Sequence, residues 1–183
     1  MAETHIYQNR IRRLGWNELR QLWEGIARRD TPDWASGKAF EYLILRAFEL
    51  DGAEISWPYR VEIFGEEVEQ IDGAIYCEGL SCLVESKDFS DKKIDIAPIA
   101  KLRNQLLRRP GNTIGVIFSR TGFTEAARIL AQFSFPQTLL LWHGEEISYA
   151  LEQQTFSALL KLKHRKCIEL ALPDYDVRLR DIL

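Results

Sequence analysis

The 183-residue sequence is poor in cysteine and histidine, with three of each. Cys77, Cys82 and Cys167 have neither the number nor the spacing of a disulfide scaffold or a four-ligand zinc site, so a reducing compartment, the cytoplasm, is the expected setting. His5, His143 and His164 lie far apart without ligand-like spacing, which argues against a histidine-based zinc or nuclease centre. No window approaches the roughly eighteen consecutive apolar residues of a membrane span. The opening MAETHIYQNR carries no apolar stretch behind a basic start, so no membrane partner is expected. Repeats, low-complexity tracts and Gly/Ser linkers are missing. So is a phosphate loop, because Gly37-Lys38 runs into Ala39 where Ser or Thr would be needed, which speaks against ATP hydrolysis. An excess of positive charge is lacking as well: 24 Lys and Arg against 27 Asp and Glu give a net charge of -3. That excludes a uniformly basic nucleic-acid-coating protein but leaves room for a local basic groove.

What is present is core-forming residue, 46% hydrophobic against 28% charged, enough for one globular unit. Residues 1–183 are read as a single domain, with N-terminal helices over 10–50, a core over 36–143 and a C-terminal helix or arm over 144–183. Apolar residues at three- and four-residue spacing predict a helix from Ile11 to Ile26, offset near Gly15, with its arginines outward. A second helix through GKAFEYLILRAFEL is expected to be capped by Asp33 or Thr31, with Phe40, Leu43, Ile44, Ala47 and Phe48 as its apolar stripe and Glu41 beside it. After Asp51-Gly52 the pattern shortens to EISW, RVEIF, VEQIDGAIYC and LSCLVESK, with turns at Gly65-Glu66 and Glu78-Gly79, which reads as an antiparallel meander. Helical spacing returns from Ile94 to Arg109, and strands TIGVIF and TLLLW flank a helix long enough to cross over between parallel strands. FSALLKL reads as a helix and CIELAL as an edge strand or arm. The expected class is α/β, a mixed sheet flanked by helices.

Asp72 interrupts one strand and Glu85 with Lys87 ends the next. Strand side chains repeat every two residues, so Glu85 and Lys87 share a face, and a turn at Glu78-Gly79 brings Asp72 beside Glu85. Two carboxylates and an ammonium converging there are costly if merely buried. A hard divalent cation held by Asp72, Glu85 and the carbonyl oxygen of Ser86 resolves that cost. Lys87 then holds or polarises the attacking water and stabilises charge on phosphorus, while Glu41 binds the metal through water or assists a second ion. Spacing alone equally allows a turn aspartate and an exposed Glu85–Lys87 pair, since E-x-K is a common triplet.

The order Gly37-x-x-Phe40-Glu41, Ile71-Asp72-Gly73 and Val84-Glu85-Ser86-Lys87, followed by a helix, resembles the PD-(D/E)XK restriction-endonuclease-like superfamily. The segment GVIFSRTGFTEAARILA is similar to its Mrr-like branch. The resemblance covers about residues 36–143. It implies Asp72 and Glu85 as metal ligands, Lys87 as the catalytic lysine and Glu41 as an accessory helix carboxylate. Gln105 matches loosely a polar helix position used beside some of these sites, and reads equally as an exposed helix residue. Ile71 stands where the motif has proline, and Glu85 where the branch often has Gln.

The implied activity is Mg2+-dependent hydrolysis of DNA phosphodiester bonds, with Mn2+ able to substitute, in restriction or other defence. The alternatives are a nuclease-fold DNA-binding or scaffolding protein without turnover, and a junction or repair nuclease. Lys92, Lys93, Lys101, Arg103 and Arg120 are the expected DNA contacts, with further basic patches on the N-terminal helix and at Lys161, Lys163, His164, Arg165 and Lys166. The acidic stretch Glu62 to Glu69 is expected at a hairpin end away from the phosphates. Cutting both strands of a duplex from one metal cluster points to a homodimer, with CIELAL and DYDVRLRDIL as the candidate arm. The short chain leaves specificity to loops or to a separate subunit.

Overall fold

The computed structural model describes residues 2–181. Three helices open the chain: α1 (Ala2–Ile11), α2 (Trp16–Arg28) and α3 (Lys38–Leu50). They are followed by β1 (Glu54–Ser56), the hairpin β2 (Tyr59–Ile63) and β3 (Glu66–Ile71), then β4 (Gly73–Cys77) and β5 (Leu80–Lys87). Next come α4 (Ile96–Leu106), β6 (Thr113–Ser119), α5 (Glu125–Gln132) and β7 (Leu139–Trp142). Helices α6 (Gly144–Gln153) and α7 (Phe156–Leu170) and a 3-10 turn at Val177–Asp181 complete the described fold.

The main sheet has five strands in the order β1, β4, β5, β6, β7. β1 and β5 run antiparallel to β4, while β6 runs parallel to β5 and to β7, with α4 and α5 as the crossovers. The mixed α/β sheet expected from the sequence is therefore present, as in restriction-endonuclease-like folds. Its two faces sort by the period of two. Ile75, Cys82, Val84, Val116, Phe118, Leu140 and Trp142 join one core with residues of α1, α2, α3, α6 and α7. Ala74, Leu83, Ile117, Leu139 and Leu141 join a second with residues of α4 and α5, against which Tyr59 and Val61 of the hairpin pack.

Four expectations need correction. VEQIDGAIYC is two strands in different sheets: β3 pairs only with β2, and β4 pairs with β1 and β5, so the meander is broken at Asp72. At the break, Gly73 has a φ of +158°, and a Cβ there would lie 2.7 Å from the Leu45 side chain of α3. Helix α3 starts from Gly37, in the left-handed conformation at φ 78°, without a side-chain cap from Asp33 or Thr31. CIEL is the end of α7, so no edge strand forms there. The last two residues of the candidate arm, Ile182 and Leu183, lie outside the described residues. The C-terminal basic patch also dissolves. Lys163 is fully buried, with Nζ 2.7 Å from Glu146 and donating at 2.6 Å to the carbonyls of both Leu141 and Tyr175. Arg165 and Lys166 pair with Glu169, and Lys161 with Glu78.

Glu146 answers Lys163 and also accepts the backbone N–H groups of Val177 and His143, so one buried pair ties β7, α6, α7 and the final turn together. Removing the lysine leaves an uncompensated buried carboxylate. Lys163→Met is expected to lose about 3–5 kcal/mol in urea unfolding. Lys161→Met, at an exposed pair, is expected to change by less than about 1 kcal/mol. Equal losses would show that the buried pair anchors nothing.

Candidate active site

Four elements meet at the end of β5. Because Gly73 faces Val84 across the β4–β5 ladder, Asp72 lies next to the Glu85–Ser86 stretch, and its Oδ2 accepts the Ser86 N–H at 2.8 Å. Glu85 and Lys87 share a face, as the strand period requires, and Lys87 Nζ is 2.5 Å from Glu85 Oε1. From α4, Lys101 Nζ donates to the other Glu85 oxygen at 2.7 Å. From α3, Lys38 Nζ reaches both oxygens of Glu41, at 3.0 and 2.7 Å, three residues along the same helix face.

Glu41, Asp72 and Glu85 are all buried, Glu85 to within 1% of full burial. Burial, and secondly the Glu85 charge, raise the Asp72 carboxyl above its usual range, against Lys87, the Ser86 N–H and Lys101. Glu41 is pushed up to about 7, first by burial and then by Asp72, with Lys38 and Lys87 opposing. Burial disfavours the Lys87 ammonium, yet Glu85, Asp72 and Glu41 outweigh it and raise its pKa. Acids pushed toward protonation around a lysine held charged mark this cluster as a candidate functional site. Glu85 Oε1 is buried without an aligned hydrogen bond despite its closeness to Lys87, and the Ser86 hydroxyl has no partner.

Among the described residues, no three His, Cys, Asp or Glu side chains are placed to hold a metal ion together. Glu41 therefore does not complete a three-carboxylate cage with Asp72 and Glu85; Lys38 occupies its oxygens instead. Asp72 and Glu85 remain the adjacent pair. Gln105 is buried rather than exposed, and its amide donates to the Gln70 carbonyl at 3.2 Å, fixing α4 against β3.

The expected DNA-contact residues separate into two kinds. Lys101 is engaged with Glu85, and Arg120 with Asp88 and the carbonyls of Phe89 and Ser90. Lys92 lies over the Phe89 ring at 4.5 Å, Lys93 is exposed, and Arg103 is half-buried; none of the three makes an ion pair among those described. Lys93 and Arg120 border a cleft of about 510 Å3 with Ser90, Thr121 and His143. The acidic stretch does lie on the β2–β3 hairpin, but Glu69 is not turned away: Arg108 and Arg109 of the segment after α4 both bind it. Sequence reading passed over Lys38 and Asp88. The signals were there, Lys38 three residues before Glu41 and Asp88 directly after Lys87, but helix pairs and loop acids are too common to stand out.

A family model of the Mrr catalytic domain, described as restriction endonuclease, matches residues 33–151. The chain belongs to this family. It is the Mrr branch of the PD-(D/E)XK restriction-endonuclease-like proteins, and the match runs from just before α3 into α6, enclosing every residue of the cluster. No curated protein matches the chain. A solved structure titled as protein of unknown function AF1548 is similar at a TM-score of 0.49 and 19% identity, over 73% of this chain and 77% of that one. A likeness at that level carries no argument.

A carboxyl whose folded pKa lies above its unfolded value favours the folded state below the unfolded value and withdraws that support as pH rises through the folded one. For Glu41 the interval runs from 4.5 to about 7. In EDTA, Glu41→Gln is therefore expected to gain stability over the parent as pH goes from 5 to 8, by on the order of 2 kcal/mol. Thermal melts of both across that range check it, and a difference that stays flat with pH refutes it.

Proposed function

We propose that this family member is a Mg2+-dependent endonuclease that hydrolyses DNA phosphodiester bonds, in restriction or other defence. The observation that carries the reading is the adjacent pair of buried carboxylates, Asp72 and Glu85, beside the half-buried ammonium of Lys87. Mg2+ commonly binds through one or two carboxylates and keeps several waters. Asp72, Glu85 and the Ser86 carbonyl suit that donor set, and Mn2+ can substitute. When bound, such an ion supplies Lewis-acid stabilisation of charge on the phosphate oxygens. Lys87 Nζ hydrogen-bonds the attacking water and faces the charge that develops on phosphorus. Glu41 adjusts the field of the site through Asp72 and through water.

On this reading residues 1–183 act as one nuclease unit and Lys92, Lys93 and Arg103, which make no ion pair among the described residues, meet the phosphate backbone, with Arg120 bracing the loop of the two lysines. A homodimer would place two sites on a duplex, and a separate subunit could supply specificity. A specific observation favours a second reading, a DNA-binding or scaffolding protein that does not cleave. No three-side-chain metal group forms among the described residues, and two lysines already answer Glu85, so the cluster is electrically satisfied without an ion.

Cleavage of supercoiled plasmid, linear duplex and a four-way junction, with Mg2+ or EDTA, tests both. The nuclease reading expects ion-dependent cutting that falls about a hundredfold or more in folded Asp72→Asn, Glu85→Gln and Lys87→Met. Preference for the junction would move the substrate from restriction-type duplex to repair-type DNA. DNA retention that survives EDTA and Lys87→Met, with no cutting under any divalent ion, establishes the second reading instead.

A further inference from the structure

Glu85 is bracketed by two ammonium groups of different exposure. Lys87 sits two residues along the same strand, with its side chain 29% exposed, and its charge is also held by Asp72 and Glu41. Lys101 comes from another element and is 43% exposed, so water lies along its free side. Helix α4 itself is fixed: Ile99, Leu102 and Leu106 are buried in the second core, Asp95 caps its first turn, and Gln105 holds β3. With the helix fixed, any displacement at this end falls to the Lys101 side chain, the more exposed of the two lysines. The Glu85 carboxylate has almost no water to solvate it, so without an ion some other cation must face Oε2, and Lys101 does so at 2.7 Å.

We propose that Lys101 is a displaceable internal counter-ion of Glu85: it neutralises Oε2 in the ion-free protein and must leave that oxygen when a divalent cation takes it. The inference rests on the metal-dependent reading. Two like charges cannot share one carboxylate oxygen at contact distance in so dry a setting. Lys101 therefore sets the ion concentration at which the site loads. Once freed, its ammonium stands at the mouth of the site, where a DNA phosphate would approach, so ion loading converts an internal pair into an external anion contact. That differs from a simple basic helix face, whose lysines would be available with or without the ion.

The test is Mn2+ binding by calorimetry on the full chain, for the parent, Lys101→Met, Asp72→Asn and Lys93→Met. The last removes the same charge from the neighbouring loop without touching Glu85. Lys101→Met is expected to bind Mn2+ about three- to fivefold tighter, the upper scale of a half-exposed ion pair. Lys93→Met should stay within about twofold of the parent, and Asp72→Asn should lose binding. In EDTA the melting temperature of Lys101→Met should drop, and saturating Mn2+ should close the gap. Lys101→Gln replaces it should the Met variant fail to fold. Equal or weaker binding in Lys101→Met while the parent binds overturns the counter-ion role and leaves the metal-dependent reading intact. An equal gain in Lys93→Met also overturns it, as a general field effect. Binding that appears only in Lys101→Met upholds the counter-ion and removes metal dependence from the natural chain. Binding in neither overturns both.

Discussion

Three carboxylates withdrawn from water at one corner of the sheet are the constraint around which the fold is arranged. Glu41 comes from α3, Asp72 from the junction of β3 and β4, and Glu85 from β5. Isolated, each would cost several kcal/mol to bury as an anion. Lys38, Lys87 and Lys101 bring one ammonium from α3, from β5 and from α4, so three acids meet three bases. This balance holds only while α3, β5 and α4 keep their places, and those places are set by apolar packing on the two faces of the sheet. Gly73 belongs to the same constraint, because a side chain there would strike Leu45 of α3 and crowd the Ser56 carbonyl of β1.

The pattern of one acid between two cations recurs around the cluster. Asp88, directly after Lys87, lies between Arg29 of the segment closing α2 and Arg120 of the turn after β6. Glu69 of β3 lies between Arg108 and Arg109 after α4. Each bracket joins elements distant in sequence: the first secures the loop that leaves Lys87, the second holds the hairpin against the helix that carries Lys101. The brackets tie down the margins of the site, while Lys101 within it is more exposed than Lys87.

The site was more legible in the sequence than its surroundings were. Asp72, Glu85 and Lys87 could be placed because strand period and one tight turn determine which residues oppose one another, and the ladder from Gly73 to Val84 obeys that geometry. Parallel crossovers through α4 and α5 followed from helix length between apolar strands. What failed depended on long-range partners. CIEL has the residues of a strand, but α7 continues through it because Lys163, one turn earlier, is locked to Glu146 and to two carbonyls. The break of β3 from β4 at Asp72 coincides with the approach of Leu45 to Gly73, twenty-eight positions after it, and leaves no local mark beyond the glycine. Charged residues were the hardest of all, since a lysine that solvates a helix face and a lysine that answers a buried glutamate look alike until the partner is known.

That ambiguity changes what the net charge of -3 means. The stretch from Lys92 to Arg109 holds six bases, but Lys101, Arg108 and Arg109 are committed to Glu85 and Glu69. Among the described residues, Lys92, Lys93 and Arg103 remain outside ion pairs, and Arg120 is committed to Asp88. If DNA is the partner, as proposed, its non-specific affinity scales with the number of phosphates neutralised, and these three cations would neutralise few. On the proposed reading, two routes add contacts without adding residues: release of Lys101 as the ion loads, and a second copy of the chain on the same duplex. Both tie firm DNA binding to assembly of the catalytic centre. A charge count alone could not separate that arrangement from a permanently basic groove.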